Sequence, residues 1–185
     1  MKLSAKQITT SAILLAICII SQFFKNLSVF ITGPIINLCL VLAVFTVGLG
    51  CAVVLSVITP VTAYFITGSP LMSVIPEIIP LIMLGNIVLV LVVHYWMVPA
   101  VSGKQKFLNG KSVLAAAIAS IAKGIFMGLT ISLWVIPTFL PQASPLRAKL
   151  SVFQMTFSVF QFLTAVIGFV YFFIVWIPIR KSQEK

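Results

Sequence analysis

Long apolar runs broken by short polar stretches dominate the chain, and they set its reading. A helix needs about 20 apolar residues to cross a bilayer, with roughly 17 to 25 tolerated. Six such segments can be drawn: Thr9 to Phe24, Thr32 to Val47, Cys51 to Thr67, Ile75 to Val98, Ser112 to Ile136 and Leu150 to Pro178. Stretches such as Ile78 to Val93 are continuously apolar. The strands of a membrane β-barrel would instead alternate polar and apolar residues. The pattern predicts an all-α membrane protein with six transmembrane helices, forming a single transmembrane domain over residues 1–185. The first apolar run follows Lys2 and Lys6 as a signal peptide would, but no small-residue cleavage site follows Ile20, so it reads as the first span.

Composition agrees: 61% of the 185 residues are hydrophobic and 8% charged, against about half and about a quarter in a typical soluble domain. The net charge of +10 is not gathered into a basic domain. Its cations flank the apolar runs, where loops meet lipid head groups, so the partner they imply is the bilayer and not nucleic acid. Their distribution also sets an orientation. With both termini cytoplasmic, the inner side carries Lys2, Lys6, Lys104, Lys106, Lys111, Arg180, Lys181 and Lys185, eight cations against the three of the outer side, Lys25, Arg147 and Lys149. The expected location is the cell membrane, with outer connections Lys25 to Thr32, Gly68 to Glu77 and Pro137 to Lys149. The inner loops are Gly48-Leu49-Gly50 and Ser102 to Lys111. Pro137, Pro141 and Pro145 predict an irregular outer cap.

Much chemistry is excluded by what the chain lacks. It has no aspartate, and its glutamates are Glu77 and Glu184, so neither paired catalytic carboxylates nor a Ser-His-Asp triad can be assembled. Cys18, Cys39 and Cys51 lie in or beside apolar runs, and His94 is the single histidine, which leaves no set of metal ligands. Asn109-Gly110-Lys111-Ser112 looks like the end of a phosphate-binding loop. Gln105, however, stands where that loop needs glycine, and no strand precedes it. The expectation is a protein that is no enzyme, needs no cofactor or metal, and draws on another subunit for any uphill transport.

What remains is a small set of polar groups inside the spans: Asn37, Asn86, Lys123, Gln154 and Gln161, with Glu77 at the outer mouth of the fourth span. At about 1.5 Å per residue, Asn86, Lys123 and Gln161 fall at similar depths, with Asn37, Glu77 and Gln154 nearer the outer surface. Trp134 and Tyr64 sit close to outer ends, either in the interfacial aromatic belt or lining a cavity, and His94, Tyr95 and Trp96 suit the inner belt. Each amide has two readings, a hydrogen bond between helices or a ligand contact. Lys123 likewise either pairs with Glu77 or meets a ligand. Together these groups would suit a small polar heterocycle.

The first span also carries Ala12-Ile13-Leu14-Leu15-Ala16, whose two small residues share a helix face open to close approach; Ala115 and Ala119 repeat the spacing. Small size, six spans, inside termini and this AxxxA motif resemble the substrate-binding S component of energy-coupling factor (ECF) transporters. Gly33-Pro34-Ile35-Ile36-Asn37, the Thr59-Pro60 step and Gly85-Asn86 resemble an uncharacterised group of that superfamily. The resemblance covers most of the chain. It implies an S-component-like bundle that captures a vitamin or related micronutrient at the outer face and delivers it through a separate transmembrane coupling protein and two ATPase subunits. Ala12 and Ala16 would then dock on the coupling protein, and the ligand pocket would lie in the outer region holding Asn37, Glu77, Asn86, Lys123, Trp134, Gln154 and Gln161. Two other functions stay open at this point: a stand-alone small-solute carrier, and a structural or assembly subunit that binds no ligand.

Overall fold

The computed structural model describes residues 4–24, 28–101 and 109–183. Of the charged residues used above, Lys2, Lys25, Lys104, Lys106, Glu184 and Lys185 lie outside these, as does Gln105. The described residues are predominantly helical, with no strand among them, and contain six helices long and apolar enough to cross a membrane. These are α1 (Ala5–Gln22), α2 (Val29–Thr46), α3 (Leu49–Thr67), α5 (Ile78–Val101), α6 (Gly110–Phe139) and a sixth span made of α7 (Leu150–Phe157) and α8 (Val159–Gln183). A short helix, α4 (Pro70–Val74), sits between the third and fourth spans. Large apolar side chains such as Ile13, Leu129 and Ile174 are more than half exposed on the perimeter. With six such spans, that surface makes the chain a multi-pass membrane protein.

Local chemistry sets the helix ends. Ser4 and Gln7 form a reciprocal capping box, which starts α1 four residues ahead of the expected Thr9. The Ser28 hydroxyl accepts from the Phe30 N–H and starts α2 at Val29 instead of Thr32. Gly48, at φ 117°, makes the turn into α3 in a conformation closed to side-chain-bearing residues, and Gly68, left-handed at φ 56°, ends that helix. Asn109 and Ser112 cap α6 reciprocally, and the Asn109 side chain donates to the Ala100 carbonyl at 3.0 Å. The segment that imitated a phosphate loop is therefore a helix cap. After Phe139 the prolines leave an irregular stretch followed by a 3-10 turn, Pro145–Lys149, and Arg147 donates to the carbonyls of Leu140, at 2.9 Å, Pro137 and Pro141.

Two features depart from the expected spans. Leu150 to Pro178 is not one helix: it breaks at Ser158, whose hydroxyl donates to the Gln154 carbonyl at 2.6 Å. Gly68 to Glu77 is not a plain connection either, because α4 folds inward and buries Leu71 and Met72, with Ile75 just beyond it. In addition, α5 and α6 each contain a wider-wound π segment, Val93–Met97 and Gly128–Val135.

Short links between successive spans make neighbouring helices antiparallel, so the start of α1 and the end of α8, the terminal helix ends, lie at one end of the bundle. Helix α2 is the central element, packed by α1, α3, α5 and α8, and its run Cys39 to Val44 is buried without interruption. The apolar interior falls into two clusters. One, toward the termini, joins Leu40, Leu89, Met97, Ala119 and Phe172. The other, at the opposite end, joins Leu71, Ile75, Ile78, Met127, Ile131 and Phe157. A polar layer separates them.

Candidate ligand cavity

Lys123 is the centre of that layer. It lies on α6, is 2% exposed, and its Nζ donates to Asn37 Oδ1 on α2 at 2.6 Å and to Asn86 Oδ1 on α5 at 2.8 Å. Both amides are as buried as the cation they serve. A cation in the membrane interior needs such partners, since an unpaired charge there costs several kcal/mol (roughly 3 on insertion scales). Two carbonyl dipoles in place of a carboxylate leave the charge solvated but not neutralised.

Glycines let the helices close around this cluster. A Cβ on Gly168 of α8 would meet Asn37 Cβ at 2.7 Å and the Pro34 carbonyl oxygen at 3.0 Å. One on Gly85, beside Asn86, would meet Met127 Cγ at 2.6 Å, and one on Gly124, beside Lys123, would meet Phe162 Cβ at 2.8 Å. Each polar group thus stands against or beside a glycine that brings a neighbouring helix within reach.

Above the cluster, on the side away from the termini, is a cavity of about 100 Å³, several times the space one water needs. Lys123, Asn37 and Asn86 form its floor, Thr32, Thr59 and Gln161 stand in its walls, and Met72 of α4 with Phe157 of α7 close over it. The inward fold of α4 and the break at Ser158 thus supply the cover. Helix α1 takes no part in the lining. It is tied to the bundle from behind, where Gln22 Nε2 donates to the Thr59 carbonyl at 3.0 Å and the Thr32 hydroxyl donates to the Ser21 carbonyl at 2.8 Å.

Four of the seven residues expected in the pocket therefore line one cavity: Asn37, Asn86, Lys123 and Gln161. Asn37 is not shallower than Asn86, because both bind the same ammonium group. The other three lie elsewhere. Glu77 is exposed at the start of α5, nine residues ahead of Asn86, or about 13 Å of helix at 1.5 Å per residue; the Lys123 partners are the two amides. Trp134 is 58% exposed on the perimeter. Gln154 exchanges hydrogen bonds with Ser132, donating to its carbonyl at 3.0 Å and accepting from its hydroxyl through its own carbonyl at 2.8 Å. Its amide ties α7 to the π segment of α6. Tyr64 is half-buried, with its hydroxyl 3.5 Å from Ser73 Oγ. Residues that the sequence did not single out, Thr32, Thr156, Met72 and Phe157 among them, complete the lining.

Ala12 and Ala16 are exposed on α1, on a face that also presents Ile13 and Ile17. Among the described residues no group of histidine, cysteine or acidic side chains is placed to hold a metal ion. Fold and site together define a six-span helical membrane protein with a cation-floored cavity in one half of its thickness. No protein-family profile, curated protein or solved structure matches the chain.

Proposed function

We propose that the chain is the substrate-capture subunit of a multi-subunit, ATP-driven importer of the ECF type, taking up a vitamin-like micronutrient from the outer face of the cell membrane. The observation that carries this reading is the cavity itself. It lies in one half of the bundle, is lined in part by α4, a short helix outside the six spans, and rests on a buried cation. The opposite half is a continuous apolar core from Leu40 to Phe172. A solute held on one side faces that apolar core, which suits capture followed by hand-over to a partner better than passage through the chain.

In this reading both termini are cytoplasmic, in keeping with the eight-to-three distribution of cations, and the cavity opens outward. Energy comes from separate ATPases through a coupling protein, because the chain has no nucleotide-binding loop. The exposed Ala12 and Ala16 give that partner a low, flat strip for close helix contact. Since α1 does not line the cavity, docking and ligand binding are separable by mutation. Replacing both alanines with tryptophan is expected to abolish co-purification of the coupling and ATPase subunits while the fold and solute binding persist. Retention of those subunits by the double variant would remove the docking assignment.

A further inference from the structure

The donors and acceptors around the cavity are unevenly shared, and that asymmetry specifies a ligand. An ammonium group only donates, so Asn37 and Asn86 must turn their oxygens toward Lys123, as they do. Their Nδ2 groups then point away from it. Neither Nδ2 has a hydrogen-bond acceptor among the described residues, and neither is sealed from accessible space; the enclosed, unpartnered polar side-chain atom is Gln22 Oε1 instead. Both amino groups therefore reach the cavity that their residues line. Lys123 has a third N–H beyond the two that its amide partners take. The floor is a cluster of donors on one positive charge, and Glu77, the one carboxylate side chain among the described residues, is exposed at the bundle's end.

The wall threonines are the reverse, while the Gln161 amide spends one N–H on the Thr156 carbonyl at 3.3 Å. The hydroxyl protons of Thr32, Thr59 and Thr156 all go to helix carbonyls, those of Ser21, Leu55 and Val152, at 2.8, 2.9 and 2.7 Å. Toward the cavity these side chains offer lone pairs alone.

Resting on the capture-subunit reading, we propose that the ligand is a small organic monoanion. Its carboxylate, or an equivalent acid group, sits on Lys123 Nζ and the Nδ2 groups of Asn37 and Asn86, and its remaining body carries an N–H or O–H donor that meets the threonine hydroxyls. A neutral heterocycle would leave the cation uncompensated, and a cation would add to it. In a low-dielectric site an acid group both neutralises the charge and accepts the unused N–H bonds.

Matched acids and amides test this, since a primary amide keeps the shape and removes the charge. Purified protein in lipid nanodiscs is followed by thermal denaturation with benzoate, 4-hydroxybenzoate, 3-hydroxybutyrate and N-acetylglycinate, each beside its primary amide. Acids are expected to raise Tm where their amides do not, with donor-bearing 4-hydroxybenzoate ahead of benzoate. Lys123→Met should weaken the binding of the best acid at least tenfold, and Lys123→Arg should retain more of it. Stabilisation by amides equal to that by acids, an acid effect that survives in Lys123→Met, or no response to any of the acids would overturn the proposal. The outcome is separable from the transporter reading: acid binding without ATPase partners would remove that reading alone, and ATP-driven uptake of a neutral solute would remove this one alone.

Discussion

Asn37→Leu should destabilise the protein by about 2 kcal/mol, the usual scale for a hydrogen bond to a charged group whose loss strands the charge. Asn86→Leu should behave the same way. Lys123→Met should do the opposite, holding or raising the stability of the ligand-free protein, because it removes a buried charge and leaves two amides that can still reach the cavity. The decisive result is the combination. Once Lys123 is methionine, Asn37→Leu no longer strands a cation, so most of its cost should vanish and the double-mutant cycle should show strong coupling. Denaturation in mild detergent measures all four proteins. Additive effects would mean that the 2.6 Å contact does not hold the helices together. In the same series Glu77→Gln should be close to neutral, because the carboxylate is exposed and remote from the cation.

Gly168→Ala is expected to cost as much, for a steric reason. Its new Cβ would stand 3.0 Å from the Pro34 carbonyl oxygen and 3.3 Å from the Leu38 nitrogen as well as 2.7 Å from Asn37 Cβ. Two of those neighbours are backbone and cannot rotate aside, so α8 must move from α2, at the 1–3 kcal/mol typical of overpacking (roughly). The displacement also pushes on Asn37 and should lower ligand affinity. Gly85→Ala is the control. Its nearest neighbours are Met127 Cγ and Sδ, at 2.6 and 2.8 Å, and a methionine side chain can adopt another rotamer. The stability loss at Gly168 should exceed that at Gly85, and equal losses would show that α8 yields as easily as a side chain.

The six spans were legible because lipid demands long apolar helices, and that demand is written directly into composition. Lys123 was legible for the converse reason, as a charge where charges are costly. A helix start at Thr32 makes Asn37 read as shallower than it is. With Ser28 as the cap, Asn37 and Asn86 each stand eight residues inside their helices, which is how they reach one ammonium. The cover of the cavity was not legible. Met72 and Phe157 come to it through an inward short helix and a break at Ser158, both decided by packing between helices distant in sequence. The threonines carry no signal in an apolar run, because helix carbonyls satisfy their hydroxyls, those of Thr59 and Thr156 on their own helices and that of Thr32 on α1. Trp134 and Gln154 had the right residue types at the right height. Trp134 lies in the π segment Gly128–Val135 and is turned to the perimeter, while Gln154, on α7, is taken up by Ser132 of that segment.

In the proposed function this chain captures a solute and does not translocate it unaided. Reconstitution into liposomes tests it most directly, using the radiolabelled acid that stabilises the protein most, with the chain alone or with its co-purified coupling and ATPase subunits. Saturable binding without accumulation is expected for the chain alone, and accumulation inside the vesicles only with the full complex and ATP. Accumulation by the chain alone would contradict it and establish a stand-alone carrier.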